Sequence, residues 1–240
     1  MATRFVLPAQ RVAVVTGGAQ GLGRSIALRL ARDGHDVAIA DVRESTAREV
    51  AREVRALGQR SLALCADVRR EEEVEKMVKD VAENLGSVDI MVANAGIAKA
   101  GRLLATSLDN YQDNMTVNAQ GVFLCYKHAA LRMIEQGRGG RIIGASSVSG
   151  KIGDPDHLAY TASKFAVRGM TQAAALELAQ HNITVNAYAP GAIDTDMLRN
   201  TFSTVKGLRE RIAAATPVGR LDGGFVTGQT ISINGGMHFD

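Results

Sequence analysis

Short apolar runs of five or six residues alternate along the chain with longer stretches whose apolar positions recur three or four apart. A run rich in Val, Ile and Ala and bounded by Gly, Asp or Asn reads as a strand buried on both faces, whereas the wider spacing reads as an amphipathic helix. Strands are therefore expected over 11–16, 36–41, 61–66, 88–93, 141–146, 183–188 and 229–233, and helices over 22–32, 44–57, 71–85, 109–136 and 160–179. Continuously apolar strands separated by helices build a parallel sheet covered on both faces. The expected fold class is α/β, a doubly wound parallel sheet of about seven strands. No repeat, low-complexity tract or linker breaks the alternation, so residues 1–240 read as a single domain. Gly34 stands where a glycine cap would end the first helix, and 137–140 reads as a turn.

Composition narrows the class. At 240 residues, with 46% hydrophobic and 22% charged, the chain is long enough to bury a sizeable core and is neither disordered nor membrane-spanning. The net charge is +3, and the basic residues are scattered rather than clustered, which speaks for a solvated surface and against nucleic-acid binding. Cys65 and Cys125 lie in apolar stretches without metal-ligand or redox-pair spacing and read as buried free thiols. His35, His128, His181 and His238 show no ligand spacing, so no metal is expected. Residues 1–10 show neither a signal-peptide nor a transit-peptide pattern, and a reducing, cytoplasmic setting is expected. The 25 glycines against four prolines point to loops that approach a ligand closely.

The first such loop is Thr16-Gly17-Gly18-Ala19-Gln20-Gly21-Leu22-Gly23, between an expected strand and an expected helix. That context is the Rossmann-type dinucleotide arrangement: glycines admit the pyrophosphate, and the free N–H groups at the helix start stabilise its charge. Gly17, Gln20, Gly21, Leu22 and Gly23 are the candidate contacts. Asp41, at the end of the second strand, is placed to accept hydrogen bonds from the adenosine ribose and would repel a 2′-phosphate. NAD is therefore expected over NADP, although Arg43 offers a phosphate partner. Asp67 with Val68, and Asn94, Ala95 and Gly96, follow the third and fourth strands and belong to the same edge, where ligands of open α/β sheets bind.

Tyr160 and Lys164 are four apart, on one face of a helix, and Ser147 lies just beyond the fifth strand. A tyrosine ordinarily ionises near pH 10. A neighbouring ammonium and a cationic nicotinamide both favour the phenolate, bringing the group into the range of general acid/base work. The division of labour is then clear: Ser147 hydrogen-bonds the substrate oxygen, Tyr160 exchanges the proton, and the cofactor exchanges hydride with carbon.

These motifs together resemble the short-chain dehydrogenase/reductase family over nearly the full chain. Thr16 to Gly23 resembles its cofactor loop, Asn94 to Gly96 its Asn-Asn-Ala-Gly segment with Ala93 in the first Asn place, and Tyr160 with Lys164 its Tyr-x-x-x-Lys. Ser147 and Asn118 match the rest of the catalytic tetrad. The resemblance implies that Asn118 holds a helix kink and a water linked to Lys164, and that Lys164 also bonds the nicotinamide ribose. It further implies that Pro190, Gly191, Ile193 and Thr195 lie beside the carboxamide, with Tyr188 flanking that pocket. A narrower similarity, in 147–172 and the ending Gly235-Gly236-Met237, is to diacetyl/acetoin reductases and butanediol dehydrogenases. It implies a small vicinal diketone, hydroxyketone or diol as substrate. An NADP-dependent 3-oxoacyl or polyol/ketose reductase is the enzyme alternative, and a non-catalytic cofactor-binding scaffold the alternative of another class.

The sequence departs from the family after Leu221, where Asp222, Gly223 and Gly224 lead straight to Phe225 and a helix of about ten to fifteen residues is expected to be absent. His157, three residues before Tyr160, has no carboxylate expected to orient it and reads as a residue of the substrate entrance or the surface. Met197, Leu198 and Phe202 read either as a substrate lid or as the apolar face of a short helix. Glu71, Glu72 and Glu73 suit a helix start. Tyr111, Met115, Phe123, Leu124 and Tyr126 read as core or subunit contact, and the resemblance implies a homo-oligomer, a dimer or tetramer, with two-fold contacts.

Overall fold

The computed structural model describes residues 10–191 and residue 193. Its elements alternate as read from the apolar pattern: β1 (Val12–Thr16), α1 (Gly21–Arg32), β2 (Asp36–Asp41), α2 (Glu44–Ala56), β3 (Ser61–Cys65), α3 (Glu71–Leu85) and β4 (Ile90–Ala93). Then follow α4 (Leu108–Met115), α5 (Gly121–Gln136), β5 (Gly140–Ala145), α6 (Leu158–Leu178) and β6 (Ile183–Tyr188). The six strands form one parallel sheet in the order β3-β2-β1-β4-β5-β6. The expected strand 229–233, the expected lid and the region after Leu221 lie outside the described residues.

Alternate strand residues feed two cores. Val12 and Val14 of β1 join Val74, Met77, Val81, Val122 and Met133 on the face covered by α3 and α5. Ala13 and Val15 join Ala27, Val50 and Val54 on the face covered by α1 and α2. Full burial of each such valine stabilises the fold by about 1.5–3 kcal/mol relative to exposure. At the amino edge of the sheet, buried Asp89 accepts from Val12 N, Ser87 Oγ and the Arg138 guanidinium, fixing the start of β1 against the approach to β4. Gly34 follows α1 with φ +91°, as the glycine-cap reading requires.

Two expectations are corrected. The helix expected over 109–136 is broken into α4 and α5 by a π-helical turn, Thr116–Gln120. The Thr116 hydroxyl donates back to Gln112 O at 2.6 Å, which loosens the ladder. The Asn118 side chain turns inward and both accepts from Ile97 N and donates to Ile97 O, holding the wider turn in place. Cys65 is exposed, because it ends a strand with no further strand beside it among the described residues; Cys125 is buried as expected.

The order of strands reverses between β1 and β4. Loops leave these two strands in opposite directions at their carboxyl ends and open a crevice there. The groove described next lies in that crevice.

Candidate active site

The floor of the groove is made by backbone. Gly17 has φ +62°, and a Cβ on it would lie 2.8 Å from Ala95 Cα, closer than real Cβ atoms come. A Cβ on Gly23 would overlap the Gly17 carbonyl. The glycine loop is thus folded onto the 94–96 loop with no room between them. Asn94 acts as the bracket: its Nδ2 donates to Thr16 O and Gly17 O, and its Oδ1 accepts the Tyr188 hydroxyl at 2.7 Å. Thr16 Oγ1 in turn accepts from Asn94 N and Ala95 N. No side chain caps the start of α1, so its first amide groups are left for a ligand.

The groove has a volume of about 520 Å³. Gly17, Gln20, Gly21, Leu22 and Gly23 line one wall, and Asp41, Asp67 and Val68 one end. Asn94, Ala95 and Gly96 lie across from the glycine loop, and Tyr160, Lys164, Tyr188 and Pro190 close the other end. Gly191 and Ile193 are described but do not line it, and Thr195 lies outside the described residues. Arg69, Ile97, Lys99 and Asp113 also line it, and sequence reasoning had not singled them out as site residues. Arg69 directly follows the Asp67-Val68 pair and was within reach of that reading. Lys99 and Asp113 pair across fourteen positions with no periodic signal to mark them.

The polar ends differ in character. Asp41, only 6% exposed, accepts from Ala19 N at Oδ2 and from Arg43 N and Nε at Oδ1, which leaves a lone pair on Oδ2. The Arg43 guanidinium reaches back to Asp41 and to Gln20 Oε1, spanning the outside of the groove. Asp67 is held by the Arg69 side chain, which lowers its pKa below the ordinary carboxylate value despite partial burial.

At the far end the Ser147 side chain lies beside the Tyr160 hydroxyl. Ser147 is itself oriented by Ser149 N, which donates to its Oγ at 3.2 Å. Lys164 Nζ lies 5.4 Å from the centre of the Tyr160 ring and donates to Ala145 O, the last carbonyl of β5, at 2.7 Å. Burial lowers the Lys164 pKa to about 8. Burial, the larger influence, raises the Tyr160 pKa above the ordinary tyrosine value, and the Ser147 side chain beside it acts in the opposite direction.

Asn118, fully buried, donates its remaining N–H to Ser163 Oγ at 3.0 Å, and Ser163 donates to Tyr160 O at 2.6 Å. The π-turn is thereby tied to the first turn of α6. Asn118 consequently acts through the backbone it shapes, since its amide is spent on Ile97 and Ser163. The reading of His157 is corrected: Asp154 Oδ2 lies 3.0 Å from its Nδ1 and orients the ring. The carboxylate was hidden from sequence reasoning because the bond depends on how the 150–157 loop turns, not on a helical period. Among the described residues no three His, Cys, Asp or Glu side chains converge as a metal site, and no helix is long and apolar enough to cross a membrane.

The chain matches the short chain dehydrogenase family over residues 11–206. The chain belongs to the short-chain dehydrogenase/reductase family. It is an oxidoreductase of a family that uses NAD or NADP, acts on small molecules and is commonly oligomeric. A short-chain dehydrogenase/reductase of Armillaria gallica is 44% identical over 252 residues, covering 96% of this chain and 97% of that protein. That alignment is longer than the 240 residues of the chain, so part of the relative has no counterpart here. The 3-oxoacyl-acyl-carrier-protein reductase of Staphylococcus aureus is 39% identical, covering 94% of this chain and 97% of that protein. Among solved structures, a short-chain dehydrogenase/reductase from Mycobacterium marinum superposes with a TM-score of 0.84 at 34% identity, covering 88% of this chain and 83% of that one. The acetoin dehydrogenase of Salmonella typhimurium superposes with a TM-score of 0.74 at 39% identity, covering 78% and 74%.

Proposed function

We propose that this family member interconverts a small ketone and a secondary alcohol with NAD as cofactor, and that its substrates are acetoin, diacetyl or a related vicinal diol. The observation that carries the reaction is the presence of Tyr160 and Lys164 together in the lining of the groove, with Ser147 beside the phenol. The glycine loop and the uncapped start of α1 hold the pyrophosphate, and Asp41 accepts from the adenosine ribose hydroxyls. A buried carboxylate at that place disfavours a 2′-phosphate, which is the ground for NAD over NADP. A nicotinamide held in this groove would supply the hydride-transfer chemistry and, when oxidised, a positive charge.

In reduction, Ser147 donates a hydrogen bond to the carbonyl oxygen and Tyr160 gives it the proton. Lys164, buried at 4% exposure, stabilises the resulting phenolate and reaches the nicotinamide ribose. Asn118 and the π-turn keep α6 in place so that these groups stay aligned. The likeness to the Salmonella acetoin dehydrogenase supports the small-substrate reading. The likeness to the Staphylococcus reductase supports a 3-oxoacyl thioester as the second reading. The chain is further read as one domain over 1–240, free of a catalytic metal, acting in the cytoplasm. It is read as a homo-oligomer that pairs the exposed apolar residues Phe123, Leu131, Phe165 and Leu176 of α5 and α6.

The test is the loss of reduced-nicotinamide absorbance with diacetyl, acetoin, a 3-oxoacyl thioester and a panel of ketoses, with NADH and NADPH in parallel. Turnover of diacetyl or acetoin with NADH is expected. Turnover of the thioester alone, with NADPH, would replace this reading by the second. Folded protein that binds NADH and turns over nothing would leave a cofactor-binding scaffold.

A further inference from the structure

His157 caps the start of α6, its ring 6.3 Å from that of Tyr160, and Lys164 Nζ lies 5.4 Å from the Tyr160 ring, so the three form one stripe running outward from the groove that Tyr160 and Lys164 line. The outer end of this stripe is unusually well fixed. Gly101 N donates to Asp156 O at 2.7 Å and Leu158 N to Gly101 O at 3.1 Å, so the backbone on either side of His157 is clipped to the loop that follows β4. Arg102 pairs with Asp156 across the same clip at 2.8 Å. Asp154 then fixes the ring itself at 3.0 Å.

A carboxylate only accepts, so the Asp154 bond keeps the ring proton on Nδ1 and leaves Nε2 of the neutral ring with a lone pair. Nε2 makes no hydrogen bond to any described residue, and it lies on the side of the ring away from Asp154. The imidazole and the Tyr160 ring are centred 6.3 Å apart at 70°. No hydrogen bond joins them, and their spacing is about the length of one small molecule.

We infer that His157 is a specificity-determining residue, whose Nε2 accepts a hydrogen bond from a hydroxyl on the carbon next to the reacting carbonyl. The preferred substrate is then an α-hydroxyketone, or in the reverse direction a vicinal diol, rather than a plain ketone. This rests on the ketone–alcohol reading above. A tautomer fixed the other way would offer an N–H and favour a second carbonyl instead, so Asp154 sets the sign of the preference.

The experiment compares kcat/KM for acetoin with that for 2-butanone, which lacks only the hydroxyl, in the wild type and in His157→Phe. Wild type is expected to favour acetoin, and the variant to lower that ratio by about tenfold, the size of one hydrogen bond, chiefly through KM because the bond exists before the transition state. His157→Gln, which keeps an acceptor, is expected to restore part of the ratio. Should the phenylalanine variant fail to fold, Asp154→Ala must lower the same ratio by about threefold, because the ring then loses the bond that fixes its orientation and tautomer. Equal losses on both ketones, or an unchanged ratio, would overturn the assignment and leave His157 a structural residue. Wild-type protein that turns over neither ketone would instead overturn the small-ketone substrate reading, and this inference with it.

Discussion

The two ends of the site are built in different ways. At the cofactor end, position is set by backbone: the glycine loop lies on the 94–96 loop without room for a Cβ, and Asn94 and Thr16 satisfy the groups that this close approach would otherwise strand. At the substrate end, position is set by side chains on loops: the Asp154–His157 bond, the Arg102–Asp156 pair and an apolar tip at Leu103 and Leu104 that is open to solvent. A backbone floor binds the unvarying part of a reaction, its dinucleotide, and allows almost no substitution. A side-chain mouth changes with single residues, which is how one fold acquires different substrates.

Substitutions should reveal that contrast in graded steps. The largest effect is expected where the two ends meet. Tyr160→Phe should lower kcat by about a thousandfold, within the range for loss of a positioned proton donor, while NADH binding followed by fluorescence stays within about twofold. A large loss of NADH binding in that variant would mean the phenol is part of the floor.

Gly23→Ala comes next, since its methyl has no space against the Gly17 carbonyl. It should weaken NADH binding by at least tenfold and lower Tm. An alanine variant that binds normally would show the floor to be pliable. Asn94→Ala should destabilise the folded protein by about 1–3 kcal/mol, because it strands two carbonyls and the Tyr188 hydroxyl at once. Tyr188→Phe removes one of those bonds and should cost about 1 kcal/mol, measured by denaturant unfolding.

Lys164 provides a test with a definite sign. Its folded pKa, about 8, lies below the ordinary value of 10.5, so between those two pH values the unfolded chain binds more protons and stability rises with pH. Below pH 8 the buried ammonium weighs fully on the fold. Lys164→Met should therefore compare more favourably with wild type at pH 7 than at pH 10, by several degrees of Tm at about 2–4 °C per kcal/mol. The same difference at both pH values would show the ammonium to be well solvated. The smallest effect belongs to the mouth: Arg102→Ala removes an exposed ion pair and should change stability by about 0.5 kcal/mol or less.

The division into floor and mouth also marks what was legible in the sequence. Strand 36–41 and helix 71–85 were read to the residue, because their apolar periods are set by burial alone. The glycine loop, Asp41 and the Ser147, Tyr160, Lys164 set were picked out because the proposed chemistry calls for those residue types at those spacings, and the loop, Asp41, Tyr160 and Lys164 do line one groove. The π-turn at 116–120 was not legible in the apolar period, which runs through it; the resemblance alone implied a kink at Asn118, and the Asn118–Ile97 bonds, between residues 21 apart, show how it is held. The Asp154–His157 pair and the Lys99–Asp113 pair were missed for the same reason: each depends on a loop path that no local pattern encodes. Exposure of Cys65 follows from β3 lying at the sheet edge, a fact of strand order and not of the apolar run that contains it.

The central claim is that this site moves a hydride between a nicotinamide and a carbonyl carbon, with Tyr160 moving the proton. It is tested most directly by incubating the protein and acetoin with NADH carrying deuterium at the transferring position of the nicotinamide ring, and reading the product by mass spectrometry and NMR. The account predicts a diol with one deuterium on the former carbonyl carbon, formed by the wild type and almost not at all by Tyr160→Phe. Folded wild-type protein that binds the labelled NADH and yields no deuterated alcohol from acetoin, diacetyl or any other ketone would contradict it.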